Sequence, residues 1–230
     1  MKDPIKVSKD VYLIGSDDIS GSGDCCVYAI KIDSNKICLI DAGTKNASIL
    51  LENIQKTPLA NHEISDLILT HCHYDHAGAA HQLKEIFPKM KIYAHDWDTP
   101  TIQGAPNTEN LTAANWYGEK YIPVKISHVI RNDKEKLKLG AKTFEIFHTP
   151  GHTPGSISII LNEGNNTNIL FGQDIHGPFL PEFNSNIQDW KISMKKILAL
   201  EADILCEGHF GIIKGKDSVR NFIRGHLQRN

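Results

Sequence analysis

The chain has no apolar stretch approaching the roughly 20 residues needed to cross a bilayer. Its first ten residues, MKDPIKVSKD, lack the hydrophobic centre of a secretory leader. Neither sign of charge dominates, because 25 Lys and Arg against 27 Asp and Glu leave a formal charge of −2. Nothing in that balance points to nucleic acid or to an anionic membrane surface as a partner. Cysteine is scarce, five in 230 residues. An odd number of thiols in a chain too large to need staples favours reduced cysteines and a cytoplasmic setting. Low-complexity tracts, repeats and Pro/Gly-rich linkers are missing too. What remains is a soluble chain long enough to bury a substantial core, as one domain over 1–230 with room for a small cap.

The hydrophobic pattern predicts strands over 11–14, 25–32 and 36–41, the last two joined by the turn-forming Asp33-Ser34-Asn35. Helical spacing of Ile49, Leu50 and Ile54 predicts a helix over 47–56. DLILT at 66–70 reads as a strand covered on both faces. A second helix over 77–87, stopped by Pro88, precedes a strand at 91–95. Further on, strands are expected at 142–148, 156–161, 168–171 and 203–209, with helices over 189–200 and 216–228. Two such halves suggest a layered α/β (α+β) sandwich with sheets inside and helices outside. The stretch 96–123 fits that scheme least and is too long for a simple connection, so it reads as a cap or lid.

The richest segment is LTHCHYDHAGA at 69–79, which holds three of the chain's 12 histidines. Were the strand to continue, His71, His73 and Asp75 would share one side while Cys72 and Tyr74 point away. His76 would reach the same neighbourhood from the following turn. Four nitrogen and oxygen donors on so short an arc exceed what one tetrahedral zinc takes from one loop, which hints at two metals sharing it. The alternative is a solvated, His-rich turn. Elsewhere, HTPGHTPGS at 148–156 sets His152 in a Gly/Pro-rich turn between strands. FGQD ends a strand at Asp174, whose two oxygens suit a bridge, and EGH ends another at His209.

Together with LIDAG at 39–43, these segments resemble, in content and order, the metallo-β-lactamase superfamily. The resemblance implies a four-layer αββα sandwich with two metals at one edge. It implies His71, His73 and His152 on the first metal, Asp75, His76 and His209 on the second, and Asp174 bridging. Asp41 would support the metal loop from behind. Gln173 departs from the glycine many relatives carry before the bridging aspartate, and His176 is a further candidate for the site lining.

The activity so implied is metal-dependent hydrolysis by a hydroxide bridging two metals, with Asp75 also orienting it or moving its proton. Two zinc ions per chain are expected, although imidazole and carboxylate also suit iron or manganese. Fold alone does not choose a substrate. The missing basic exosite and leader leave a small ester, thioester or lactone, and the motifs are most similar to the glyoxalase II-like branch, without room for its larger helical domain. The rival reading is a mononuclear iron oxidoreductase of the persulfide dioxygenase type. The expected partner is a small molecule, with no nucleic acid and no membrane; an apolar face on the cap or last helix could support a homodimer.

Overall fold

The structure is a computed structural model that describes residues 1–164 and 167–230. Among these, thirteen strands form two sheets. The first contains β1 (Ile5–Lys6), β2 (Val11–Gly15), β3 (Val27–Lys31), β4 (Lys36–Ile40), β5 (Glu63–Ile68), β6 (Lys91–His95) and β7 (His128–Ile130), side by side in chain order. The second contains β8 (Lys134–Leu139), β9 (Lys142–His148), β10 (Ile157–Asn162), β11 (Asn168–Gln173), β12 (Ile204–Glu207) and β13 (Gly211–Lys214), also in chain order. Pairing is parallel from β4 through β7 and between β11 and β12, and antiparallel elsewhere.

Parallel neighbours need crossovers, and helices supply them. Helix α1 (Ala47–Gln55) links β4 to β5; α2 (Tyr74–Ala77) and α3 (Ala80–Ile86) link β5 to β6. After α4 (Thr99–Ile102), helix α5 (Ile187–Leu198) links β11 to β12, and α6 (Lys216–Arg229) closes the chain. The period-2 alternation of each strand divides its side chains between two apolar layers. In β2, Val11 and Leu13 join Tyr28, Phe144, Ile159 and Phe171 between the sheets. Tyr12 and Ile14 face the opposite way, onto Leu50 and Ile54 of α1. Across the second sheet, Ile160, Leu170 and Leu205 meet Trp190, Met194 and Ile223 of α5 and α6. A one-residue slip in any central strand would exchange its two faces, so register is tightly fixed. The result is the expected αββα sandwich.

The sequence expectation has no strand at β1, β7, β8 or β13, and it places one helix differently. The edge strand β8, KEKLKL, alternates lysine with other residues and so carries little apolar signal; lysine on an edge strand discourages pairing with another chain. The helix expected over 77–87 starts earlier and breaks, as α2 and α3, around Gly78 and Ala79. A Cβ at Gly78 would stand 2.1 Å from the Thr44 carbonyl oxygen, so α1's leading loop presses directly on this break.

Residues 96–127 run between β6 and β7 as α4, one-turn helices at Glu109–Thr112 and Ala114–Tyr117, and irregular chain. The two ends of this excursion meet: the Val124 N–H donates to the Ile102 carbonyl at 3.1 Å. No helix among the described residues is long and apolar enough to cross a membrane.

Candidate metal centre

The carboxyl ends of β4, β5, β9, β11 and β12 open at one edge of the sandwich, the usual place for a site in open α/β sheets. Past β4, Asp41 adopts a left-handed conformation (φ 62°), which aspartate tolerates better than most residues. Its Oδ1 accepts from the Thr70 N–H at 2.7 Å and its Oδ2 from the Thr70 hydroxyl at 2.8 Å. This stops β5 from continuing. The chain bends at His71–Cys72, and His73 caps α2 with extended backbone angles. The extended reading of 71–75 is therefore replaced by a bend followed by a helical turn. Asp75 and His76 converge with His71 and His73 because they stand on the first turn of α2. Cys72 does point away, directing its Sγ to the Leu111 carbonyl at 3.4 Å.

His152 enters from the β9–β10 loop, Asp174 from the end of β11 and His209 from the end of β12. The fold brings all seven sequence candidates together as two groups. Donor atoms of His71, His73, His152 and Asp174 lie within 4.8 Å of one another, and so do those of Asp75, His76, Asp174 and His209. Asp174 belongs to both. Its Oδ2 is 3.3 Å from His152 Nε2 and 3.4 Å from His209 Nε2, while its Oδ1 is 3.1 Å from His76 Nε2. Asp75 Oδ2 stands 3.1 Å from His209 Nε2.

The donor set fits cations. His152 Nδ1 lies 2.8 Å from the Pro178 carbonyl, which can only accept, so Nδ1 carries the proton and Nε2 offers its lone pair. By the same logic His76 Nδ1 donates to Asp41 Oδ2 at 2.8 Å; because the Thr70 hydroxyl gives its proton to Asp41, His71 Nδ1 donates to that hydroxyl oxygen at 3.1 Å. The Nε2 of both then faces inward. His73 Nδ1 is 2.9 Å from the His152 Nε2 lone pair. His71 Nε2, His73 Nε2 and Asp174 Oδ1 are buried without an aligned hydrogen-bond partner, the last despite its proximity to His76. Buried polar atoms are rarely left so. Three inward imidazoles with a shared carboxylate, and two with a second carboxylate, are donors that zinc takes.

Electrostatics divides the centre. Burial, then the neighbouring His76, His73 and His152, hold His71 well below the usual imidazole range. Burial and His152 bring His73 down to about 3, and burial lowers His152 as well. This half is a set of neutral ligands. In the other half burial works against charge but is outweighed. Asp174, with hydrogen bonds to Asp174 and Asp75, lifts His209 to about 10, and Asp174 itself falls well below the usual carboxylate range under His76 and His209.

Sequence reasoning missed several residues that hold these loops. Asp98, just before α4, accepts from the Cys72 N–H, the Thr153 hydroxyl and the Gly155 N–H. Glu207, wholly buried, accepts from the His209 and Phe210 N–H groups at 2.7 and 2.9 Å. The EGH motif contained Glu207, and its position two residues before His209 was the one available signal; Asp98 had none. His176 is not drawn into either donor group. Its Nδ1 instead lies 2.9 Å from Glu207 Oε1. Gln173, at φ 50°, turns its Oε1 back to the Asp174 N–H at 2.6 Å and so shapes the bend that presents Asp174. Cys25 lies near Asp41 and His76, but burial holds its thiol protonated. His148 Nε2 donates to the Pro154 carbonyl and its ring stacks on His95, outside the centre.

The 96–127 excursion lies over this edge. Trp116 packs on Phe183 at 5.0 Å between ring centres, and Phe183 meets the His73 ring at 4.5 Å. Tyr117 packs on Tyr74 at 5.4 Å, and Glu119 pairs with Lys45. A cavity of about 310 Å³ is lined by Cys72, Trp97, Leu111, Pro154 and Phe183, with Asp98, Thr101 and Asn184.

An αββα sandwich with paired His/Asp donor groups at the carboxyl edge of its strands defines a metal-binding α/β protein. Residues 21–209 match the family model of the metallo-beta-lactamase superfamily, and the chain belongs to that superfamily. It is 34% identical over 130 residues to a probable metallo-hydrolase of Methanocaldococcus jannaschii, covering 56% of this chain and 59% of the relative. It is 31% identical over 140 residues to hydroxyacylglutathione hydrolase GloC of Haemophilus influenzae, covering 57% and 58%. The chain thus spans under two thirds of these relatives. A match to the probable metallo-hydrolase YflN of Bacillus subtilis is longer, 26% over 222 residues, covering 83% of this chain and 82% of the relative. Among solved structures, the FEZ-1 metallo-beta-lactamase of Legionella gormanii superposes with a TM-score of 0.79 at 19% identity, covering 99% and 94%. That likeness carries the fold.

Proposed function

We propose that this protein is a dinuclear metal-dependent hydrolase acting on a small ester, thioester or lactone. The observation that carries the reading is the pair of donor groups sharing Asp174. His71, His73 and His152 would hold the first ion, Asp75, His76 and His209 the second, with Asp174 common to both. When bound, such ions, two zinc in this reading, supply Lewis acidity and a water acidic enough to react at neutral pH. Asp75, whose Oδ2 contacts His209 Nε2, is the residue to accept a proton and deliver it to the leaving group.

The substrate class draws support from the surroundings. The cavity at Cys72 and Phe183 has no lysine or arginine in its lining, and its one carboxylate, Asp98, is taken up by the Cys72, Thr153 and Gly155 donors. Those are surroundings for an uncharged, partly apolar acyl group. The relatives include two probable metallo-hydrolases and a hydroxyacylglutathione hydrolase. Residues 96–123 act in this reading as a cap over the bound acyl group. Five free, buried cysteines support a reducing, cytoplasmic setting.

The test is to count metals in freshly purified protein by inductively coupled plasma mass spectrometry, then to assay acyl thioesters, esters and lactones. About two equivalents of zinc with hydrolysis of one of these classes is expected. One equivalent of iron, with oxygen uptake on a persulfide and no hydrolysis, would replace the proposal by the dioxygenase reading.

A further inference from the structure

Beyond the donor atoms, buried carboxylates grip the segments that carry the ligands, and they do not grip the same ones. Asp98 is 2% exposed. Its Oδ2 accepts from the N–H of Cys72, the residue between His71 and His73, at 3.0 Å. The same oxygen accepts from the hydroxyl of Thr153, which follows His152, at 2.7 Å. Its Oδ1 accepts from the Gly155 N–H at 2.8 Å. One carboxylate therefore ties two loops 26 and 57 residues distant from it in sequence. The approach is so close that a Cβ at Gly155 would stand 2.5 Å from Asp98 Cγ and from its backbone nitrogen.

The second donor group has a different support. Glu207 binds the backbone of His209 and Phe210 through Oε2 and His176 through Oε1. It makes no hydrogen bond to the 71–73 or 152–155 segments among the described residues. His76 is held by Asp41.

We infer that Asp98 is a positioning residue for the first metal position alone, fixing His71, His73 and His152 relative to one another through the two loops it joins. The inference rests on the metal reading proposed above. Its physical core is that both oxygens of Asp98 face donors only. An asparagine there, nearly the same size, opens no cavity. Whichever way its amide turns, however, an N–H₂ group meets either the Gly155 N–H or the Cys72 N–H and the Thr153 hydroxyl. One loop must give way, and the three imidazoles lose their convergence. Asp75, His76 and His209 are not attached to those donors.

The experiment is titration of the intact chain with Co(II), followed by visible absorption and by proton NMR of the imidazole N–H signals shifted by the ion. Wild type is expected to bind two equivalents, with signals from the three histidines of the first position and the two of the second. In Asp98→Asn the first position should weaken by about 10–100-fold, the usual cost of removing a ligand's support, while the second changes by less than about threefold. At one equivalent only the His76 and His209 signals should then appear. Thr153→Val, which removes one of the three donors and keeps the shape, should show the same selectivity to a smaller degree, and serves if Asp98→Asn does not fold. His209→Ala should give the reverse pattern. Equal weakening of both positions, or an unaltered first position in Asp98→Asn and Thr153→Val, would overturn the inference. Wild type that takes up fewer than two equivalents would instead defeat the metal reading, and the inference with it.

Discussion

His73 and His152 place ring nitrogens 2.9 Å apart, although 79 residues separate them in the chain. The His152 nitrogen is a lone pair, because its other nitrogen faces the Pro178 carbonyl. Both rings are kept neutral by burial. Without an ion the pair holds as a hydrogen bond from His73 Nδ1–H to that lone pair; an ion bound between the rings takes a lone pair from each instead.

Removing metal should therefore loosen the whole molecule. With ligand at 100 times its dissociation constant, each site adds about 2.7 kcal/mol to the folded state. For a chain of this size that corresponds to roughly 5–10 °C of melting temperature per site, or about 10–20 °C when chelation empties both. Differential scanning fluorimetry with and without chelator, and after zinc is restored, checks this; an unchanged midpoint would count against a bound metal.

Asp41→Asn should separate folding from metal binding at the second position. Asparagine also tolerates φ near 62° and can still accept from the Thr70 N–H. Its N–H₂ would then face His76 Nδ1, which must become an acceptor, so the ring proton moves to Nε2 and points into the site. We expect a melting temperature close to wild type and about 10–100-fold weaker binding of the second ion. Metal titration against a chromophoric chelator measures it.

Gly151→Ala should fail by packing. A Cβ there would stand 2.3 Å from Trp190 Cβ and 2.4 Å from its Cα, and φ is 143°. Overpacking of this kind costs about 1–3 kcal/mol or more. Since Gly151 precedes His152, denaturant unfolding should register the loss even in metal-free protein, and a wild-type midpoint would contradict the packing argument.

The acid limb of stability should respond to His95. It is buried and stacked on His148, with ring centres 3.8 Å apart. Burial, and then the charge of His148, bring it down to about 4. The unfolded chain takes up a proton near pH 6.5 that the folded chain refuses until about pH 4. This contribution is complete above the unfolded value and is lost as pH falls towards 4. His95→Asn in chelated protein should flatten the stability–pH curve over that range by up to one proton. Urea unfolding at several pH values tests it.

Much of this was legible because chemistry and periodicity leave local marks. Four donors within six residues at His71–His76 advertise a metal loop whatever its backbone does. The continuous apolar run of β2, the alternation in β9 and the spacing in α1 announce buried faces. The path through His71–Asp75 was misjudged because strand and helix start both bring these donors together. The acidic residue in the first turn of α2 was the available helical signal. Asp98 was illegible for a deeper reason. Its meaning lies in backbone N–H groups of distant loops, and a backbone donor leaves no trace in a sequence.

The hydrogen bond from Val124 to Ile102 has an evolutionary consequence. It makes a narrow neck: the chain leaves the sandwich and returns to it at neighbouring points. Whatever is spliced between those points can lengthen, shorten or be replaced without re-threading a strand. Asp98 lies on the sandwich side of the neck and would stay behind in such an exchange. A lineage with this architecture can thus retailor what hangs over the reactive edge while inheriting the anchoring of its loops unchanged.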